Sequence, residues 1–303
     1  MGEFFQHIIN GVSLGSVYAL IAIGYSMVYG ILQLINFAHG EVVMLGAVFG
    51  FYAAPIIGGR PVHPSLALFF SVLLVAMALC GLVGFTIERL AYRPLRKAPR
   101  LNCLITAIGV SLFLQYFTQL DFVFGAIPQS YPEMISQATV LDLGGLHISN
   151  LQVIVLALSF SLMAGLQWIV YRTKLGKGMR AVSESTDIAA LLGVPVNRVV
   201  SFTFVLGSVL AAAAGTLVAT SYPKVDALMG ALLGLKAFVA AVLGGIGNLP
   251  GAVLGGLMMG LAEEFTVGYL SSSFRDAIAF AILIVVLLFR PSGLLGRTVV
   301  EKV

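Results

Sequence analysis

Apolar runs of about twenty residues, the length a helix needs to cross the hydrocarbon of a bilayer, recur along this chain. They lie at 7–30, 38–57, 65–87, 103–124, 150–171, 199–220, 227–246, 251–270 and 274–290. Lipid offers no partner to a backbone donor or acceptor, so such runs persist in it as helices that satisfy themselves. The expected fold is therefore an all-α polytopic transmembrane bundle of about eight to ten segments, some of them broken or re-entrant. Composition agrees: 59% of residues are hydrophobic and 10% charged, against about 25% charged in soluble domains. A water-soluble globule is excluded. Met1-Gly2-Glu3-Phe4-Phe5 supplies no basic flank, and no small-residue cleavage site ends the first run. That run reads as a retained membrane helix, not a signal peptide.

The few charges inform by position. The net charge of +4 would fit an anionic partner such as nucleic acid if Lys and Arg shared one solvated face, and they do not. Arg89, Arg93, Arg96, Lys97 and Arg100 lie in 89–100; Arg172, Lys174, Lys177, Arg180 and Arg198 lie in or next to the loop between the fifth and sixth runs; Arg290, Arg297 and Lys302 close the chain. Short basic loops stay cytoplasmic. This puts a cytoplasmic loop at 172–198 and, after three crossings, the N-terminus outside. Residues 125–149 hold Pro128, Pro132, Glu133 and Asp142 without Lys or Arg, as an external loop would. The chain 1–303 reads as one transmembrane domain. Gly11 with Gly15, Gly46 with Gly50, Gly230 with Gly234, and Gly247, Gly251 and Gly255 repeat every fourth residue, a spacing that lets helices approach closely in lipid. Cys80 and Cys103 lie far apart within apolar sequence, so they read as small buried hydrophobes.

Motifs for chemistry are missing. Leu175-Gly176-Lys177-Gly178 lacks the upstream Gly and the Ser or Thr of a phosphate-binding loop, and no metalloprotease or serine-hydrolase signature occurs. The chain is not expected to hydrolyse ATP, bind a metal or act as an enzyme; transport is the leading class. Ionisable groups inside apolar runs then become candidates for a pathway or gate. Asn36, His39 and Glu41 fall within Ile35-Asn36-Phe37-Ala38-His39-Gly40-Glu41, where a helix broken between two runs would expose polar backbone. Lys236 lies mid-run; if Gly247-Asn248-Leu249-Pro250 is a hairpin turn, Lys236 is level with residue 260. Glu263 and Glu264 would then lie about one helical turn, roughly 5 Å, away.

The loop 172–198 contains a further signal. Ser183-Glu184-Ser185-Thr186-Asp187 offers helix caps, Ile188-Ala189-Ala190-Leu191-Leu192 a short amphipathic helix, and Gly193 before Pro195 its stop. Glu184, Asp187, Ala189, Ala190 and Gly193 are candidates for coupling to an outside energy source, with the two alanines letting a partner's surface approach.

Several blocks resemble one family. Gly24-Tyr25-Ser26-Met27-Val28-Tyr29-Gly30 with Ile35 to Glu41, Ile87-Glu88-Arg89-Leu90-Ala91-Tyr92-Arg93-Pro94-Leu95-Arg96, Gly234-Leu235-Lys236-Ala237-Phe238, Ala241-Val242-Leu243-Gly244-Gly245-Ile246-Gly247 and Pro291-Ser292-Gly293-Leu294-Leu295-Gly296-Arg297 resemble LivH-type permeases of bacterial branched-chain amino-acid importers. Ala189 to Val194 fits the same order. Ala189-Ala190 to Gly193 is similar to the family's coupling motif, with Asp187-Ile188 in place of its Glu and no later Ile-x-Leu-Pro. The resemblance implies a permease subunit of an ATP-binding-cassette importer in the bacterial inner membrane. It further implies a related LivM-like permease subunit, two cytoplasmic ATPase subunits carrying ATP and magnesium, and a periplasmic substrate-binding protein. A proton- or ion-coupled transporter of amino acids or small amides, with Lys236 and Glu263 or Glu264 as a relay, is the alternative; a passive channel has no selectivity filter in its favour.

Overall fold

The computed structural model describes residues 2–96, 98–142 and 146–296; Lys97, Arg297 and Lys302 lie outside them. In chain order the helices are α1 (Gly2–Leu32), α2 (His39–Gly58), α3 (Leu66–Ile87), α4 (Arg100–Thr118), α5 (Asn150–Arg172), α6 (Lys174–Glu184), α7 (Thr186–Leu191), α8 (Val196–Ser221), α9 (Met229–Gly244), α10 (Leu249–Tyr269) and α11 (Arg275–Phe289). Among the described residues, seven helical stretches are long and apolar enough to cross a membrane. The two expected segments outside that set have distinct reasons. With 16 residues, α9 extends about 24 Å, short of the roughly 30 Å core. Glu263 and Glu264 dilute the apolarity of α10. The fourth expected run, 103–124, is corrected as well: α4 ends at Thr118 and a turn follows it.

Local chemistry sets the boundaries. Ser65 accepts from the Leu68 N–H to start α3, Ser149 and Gln152 form a reciprocal capping box on α5, and Asn248 accepts from Gly251 N with Pro250 in the first turn of α10. Gln33 leaves α1 with φ 54°, closing it in the left-handed manner of many helix ends. The loop 172–198 folds as two helices, with α7 capped by Ser185 and followed by Gly193 at φ +81°.

The ends of the bundle differ in charge. Residues 88–96, 98–100, 172–198, the α9–α10 turn and 290–296 gather at one end, tied by bonds such as Arg96 Nη1 to Asn197 Oδ1 and Asn248 Nδ2 to Leu295 O. At the other end the α4–α5 connection forms β1 (Gln129–Ser130), β2 (Thr139–Asp142) and β3 (His147–Ser149). There β1 pairs antiparallel with β4 (Lys224–Val225), which follows α8, and β2 pairs with β3. His147 N donates to Gln6 Oε1, fixing the start of α1 at this second end.

The centre is built from two halves of opposite direction. α1 packs antiparallel on α10, as α8 does on α3; α2 follows α1 through an irregular connection, as α9 follows α8. The connections match in detail. Asn36 Oδ1 accepts from Ala38 N at 3.1 Å and Asp226 Oδ1 from Leu228 N at 2.8 Å. Asn36 O and Asp226 O then accept from His39 N and Met229 N, three residues on, so that an Asx turn launches each helix. Asn36 with Asp226, His39 with Met229, Gly40 with Gly230 and Met44 with Gly234 stand at one constant interval. Gly40 meets Gly230 directly, and Gly40 lies on Gly234 as Met44 lies on Gly230. α1–α4 and α8–α11 are thus inverted repeats about an in-plane pseudo-two-fold through the Gly40–Gly230 contact.

Candidate functional site

α2 begins inside the bundle. The His39 ring lies against Gly24, eight residues and so roughly 12 Å before the end of α1. The chain therefore folds back into the protein before helix resumes. Asn36, His39 and Glu41 are all buried. Asn36 Oδ1 also accepts from the Tyr92 hydroxyl at 2.8 Å, which ties the break to the end of α3. The His39 ring stands edge-on to Tyr25 with centroids 4.7 Å apart. Glu41 Oε1 accepts from Ser111 Oγ at 3.2 Å, while its Oε2 faces Gly230 at the start of α9 without a partner. Amide, imidazole and carboxylate thus converge where the two broken connections meet, on enclosed protein rather than on an open surface turn.

A second polar cluster lies between α9, α10, α11 and α1. Lys236 Nζ stands 3.1 Å from Glu263 Oε1 and 2.7 Å from Asp276 Oδ1. The Glu263 side chain is wholly enclosed, that of Lys236 4% exposed and that of Asp276 53% exposed; the lysine bridges an interior acid and a surface one. Tyr18 donates to Glu263 Oε2 at 3.0 Å, and Arg275 Nε approaches that oxygen at 3.9 Å. Glu264 points the other way, accepting from Asn10 Nδ2 at 3.1 Å and lying 3.3 Å from His7 Nδ1. The hairpin argument brings Lys236 to Glu263 and separates it from Glu264. It does not reach Tyr18, from the remote α1, or Arg275 and Asp276, from the helix after the hairpin; the one signal for them is that each interrupts or borders an apolar run.

At the basic end, α6 and α7 lie outside the apolar helices. Ala189 is buried against the rest of the chain, so of the two alanines only Ala190 faces outward. Ile188, Leu191 and Leu192 do so too, at 60%, 87% and 77% exposure. Glu184, Asp187 and Gly193 are exposed beside them. A cavity of about 630 Å³ opens next to α6, lined by Tyr29, Gln33, Arg180, Glu184, Asn248 and Ser292 among others. An apolar knob on a short capped helix suits docking to a second protein, and the packed polar groups inside suit guidance of a solute.

A profile of the family described as branched-chain amino acid transport system / permease component matches residues 7–287. The chain belongs to this permease family. The permease is 43% identical to the high-affinity branched-chain amino acid transport system permease protein BraD of Pseudomonas aeruginosa, over 99% of its own length and 98% of the relative's. It is 41% identical, over the same shares, to the permease protein LivH of the corresponding system in Escherichia coli. A shorter likeness, 37% identity over 46% of this chain and 42% of the relative, links it to the autoinducer 2 import system permease protein LsrC of Klebsiella pneumoniae. With its seven apolar spans the permease is a multi-pass membrane protein.

Proposed function

We propose that the permease carries branched-chain amino acids such as leucine, isoleucine and valine across the bacterial inner membrane as half of a translocation pathway. The observation that supports this most is end-to-end similarity to relatives named for that transport, whereas the likeness to the autoinducer 2 permease covers under half of the chain. The other half of the pathway is a related permease subunit. Two cytoplasmic ATPase subunits hold ATP and magnesium and drive the cycle, and a periplasmic binding protein delivers the solute. Asn36, His39, Glu41, Lys236 and Glu263 position the pathway's moving helices, with Glu264 bracing α10 on α1. A proton-driven relay through Lys236 finds less support, because each charge of that cluster is engaged by another.

Coupling falls to α7, whose outward face of Ile188, Ala190, Leu191 and Leu192 is the docking knob. A rigid element must transmit a partner's movement, and Gly193, at φ +81°, ends that element in a conformation costly for any residue with a β-carbon. Reconstitution with the ATPase subunits and binding protein tests the assignment: leucine uptake should require ATP and not a proton gradient. Ala190→Arg should leave an inserted protein that loses its ATPase subunits; ATP-driven uptake at the wild-type level in an intact complex would exclude α7. Sidedness is tested separately. On a background without Cys80 and Cys103, Gln137→Cys should react with an impermeant thiol reagent from the periplasmic face, and labelling only from the cytoplasm would invert the assigned orientation.

A further inference from the structure

The two inverted halves share a construction beyond the crossing of α2 and α9. In each, the third helix ends near a fully enclosed carboxylate. Glu263 of α10 is met by the Tyr18 hydroxyl of α1 and by Arg275 of the following helix. Glu88, at the end of α3, accepts from Ser201 Oγ of α8 at 2.5 Å and is paired with Arg96 in the segment leading to α4. Each carboxylate thus takes a hydroxyl from the first helix of the opposite half and an arginine from the next element of its own. One clamp closes each end of the bundle, and the clamp at the basic end has no part in the sites described above.

The contacts of Glu88 reach in two directions. Toward the surface, Arg96 Nη1 also donates to Asn197 Oδ1 at 2.8 Å, so Asn197 and Ser201, one turn apart on α8, are both held by the pair. Only four residues separate α7 from α8, and Val194 N to Ala189 O and Val196 N to Val194 O bonds stiffen them. The first turns of α8 therefore move with α7. Toward the interior, α3 runs into a π-helical turn over Glu88–Tyr92, a form that recurs at functional positions because it re-aims side chains. Here it directs Glu88 at α8 and Tyr92 at Asn36. Burial lowers the pKa of Arg96, and Glu88 beside it offsets part of that lowering.

We infer that Glu88 is a positioning residue for transport: with Arg96 it fastens the start of α8 to the end of α3, so that a displacement of α7 reaches Asn36 and the start of α2. The inference rests on the docking of an ATPase at α7 proposed above. In the reconstituted complex, the ratio of leucine taken up to ATP hydrolysed is the readout. Glu88→Gln, and separately Asn197→Ala with Ser201→Ala, should lower it about tenfold, within the ordinary range of coupling between sites, with the KM for ATP unchanged. Glu88→Asp should recover part of it. The double alanine variant leaves the Glu88–Arg96 pair in place and cuts only its hold on α8, so it decides the matter even where Glu88→Gln fails to assemble. A wild-type ratio in the double variant overturns the inference while leaving the transport function standing. A wild-type complex that hydrolyses ATP without taking up leucine overturns both.

Discussion

Lys236→Met is expected to be among the most damaging substitutions in this permease. It leaves Glu263 enclosed without its nearest cation, and removal of one partner from a buried pair costs about 3–5 kcal/mol. Arg275 cannot substitute, being 3.9 Å from the other oxygen and partly exposed. The yield of folded protein in detergent and the uptake rate should both fall steeply. Lys236→Met combined with Glu263→Gln removes the stranded charge as well, and should recover a coupling of about 0.5–3 kcal/mol relative to the summed single effects. Asp276→Asn should cost little, because its side chain is 53% exposed and such pairs contribute roughly 0–1 kcal/mol. If Lys236→Met folds and transports like wild type, the lysine acts only by reaching toward the surface, and the cluster has no role.

The same residues show how far the sequence is readable. Apolar length alone locates nine helices, because lipid forbids other arrangements of such runs. Hairpin register carries the Lys236–Glu263 pairing, since both positions are counted from one turn at Gly247-Asn248. What it cannot do is choose a face, and Glu264, one residue on, points to α1 instead. Asp276 and Arg275 reach the cluster only because α11 packs beside α9 and α10, a tertiary fact that no local pattern encodes. The same holds for Ala189, which a short amphipathic stretch presents as an outward contact and packing turns inward. The inverted repeat is faint in sequence for a physical reason: the halves share turn chemistry at Asn36 and Asp226 and a glycine at the crossing, while His39 and Glu41 have Met229 and Ala231 as counterparts. Backbone geometry is repeated and side-chain chemistry is not.

That repetition leads to the second large expected effect. A β-carbon on Gly40 would meet the Gly230 carbonyl and the Gly234 Cα, and one on Gly230 would meet the Gly40 carbonyl, Glu41 Oε2 and Met44 Cβ. Each position faces the other's carbonyl, so even where the Glu41 carboxylate turns aside the backbones still collide. Gly40→Val and Gly230→Val should therefore force α2 and α9 apart. An overpacked core costs typically about 1–3 kcal/mol, and here the strain falls on the connections that start both helices, so uptake should be abolished even in protein that still inserts. The two variants should fail alike, since the contact lies on the axis relating the halves. Gly109→Val and Gly165→Val are the controls, because a β-carbon at either position meets nothing within 4 Å. Uptake by vesicles carrying each variant, normalised to inserted protein, separates the cases. Wild-type transport by Gly40→Val or Gly230→Val would mean that the half-helices do not cross in contact during the cycle, and equal loss in all four would trace the effect to valine in a membrane helix rather than to the crossing.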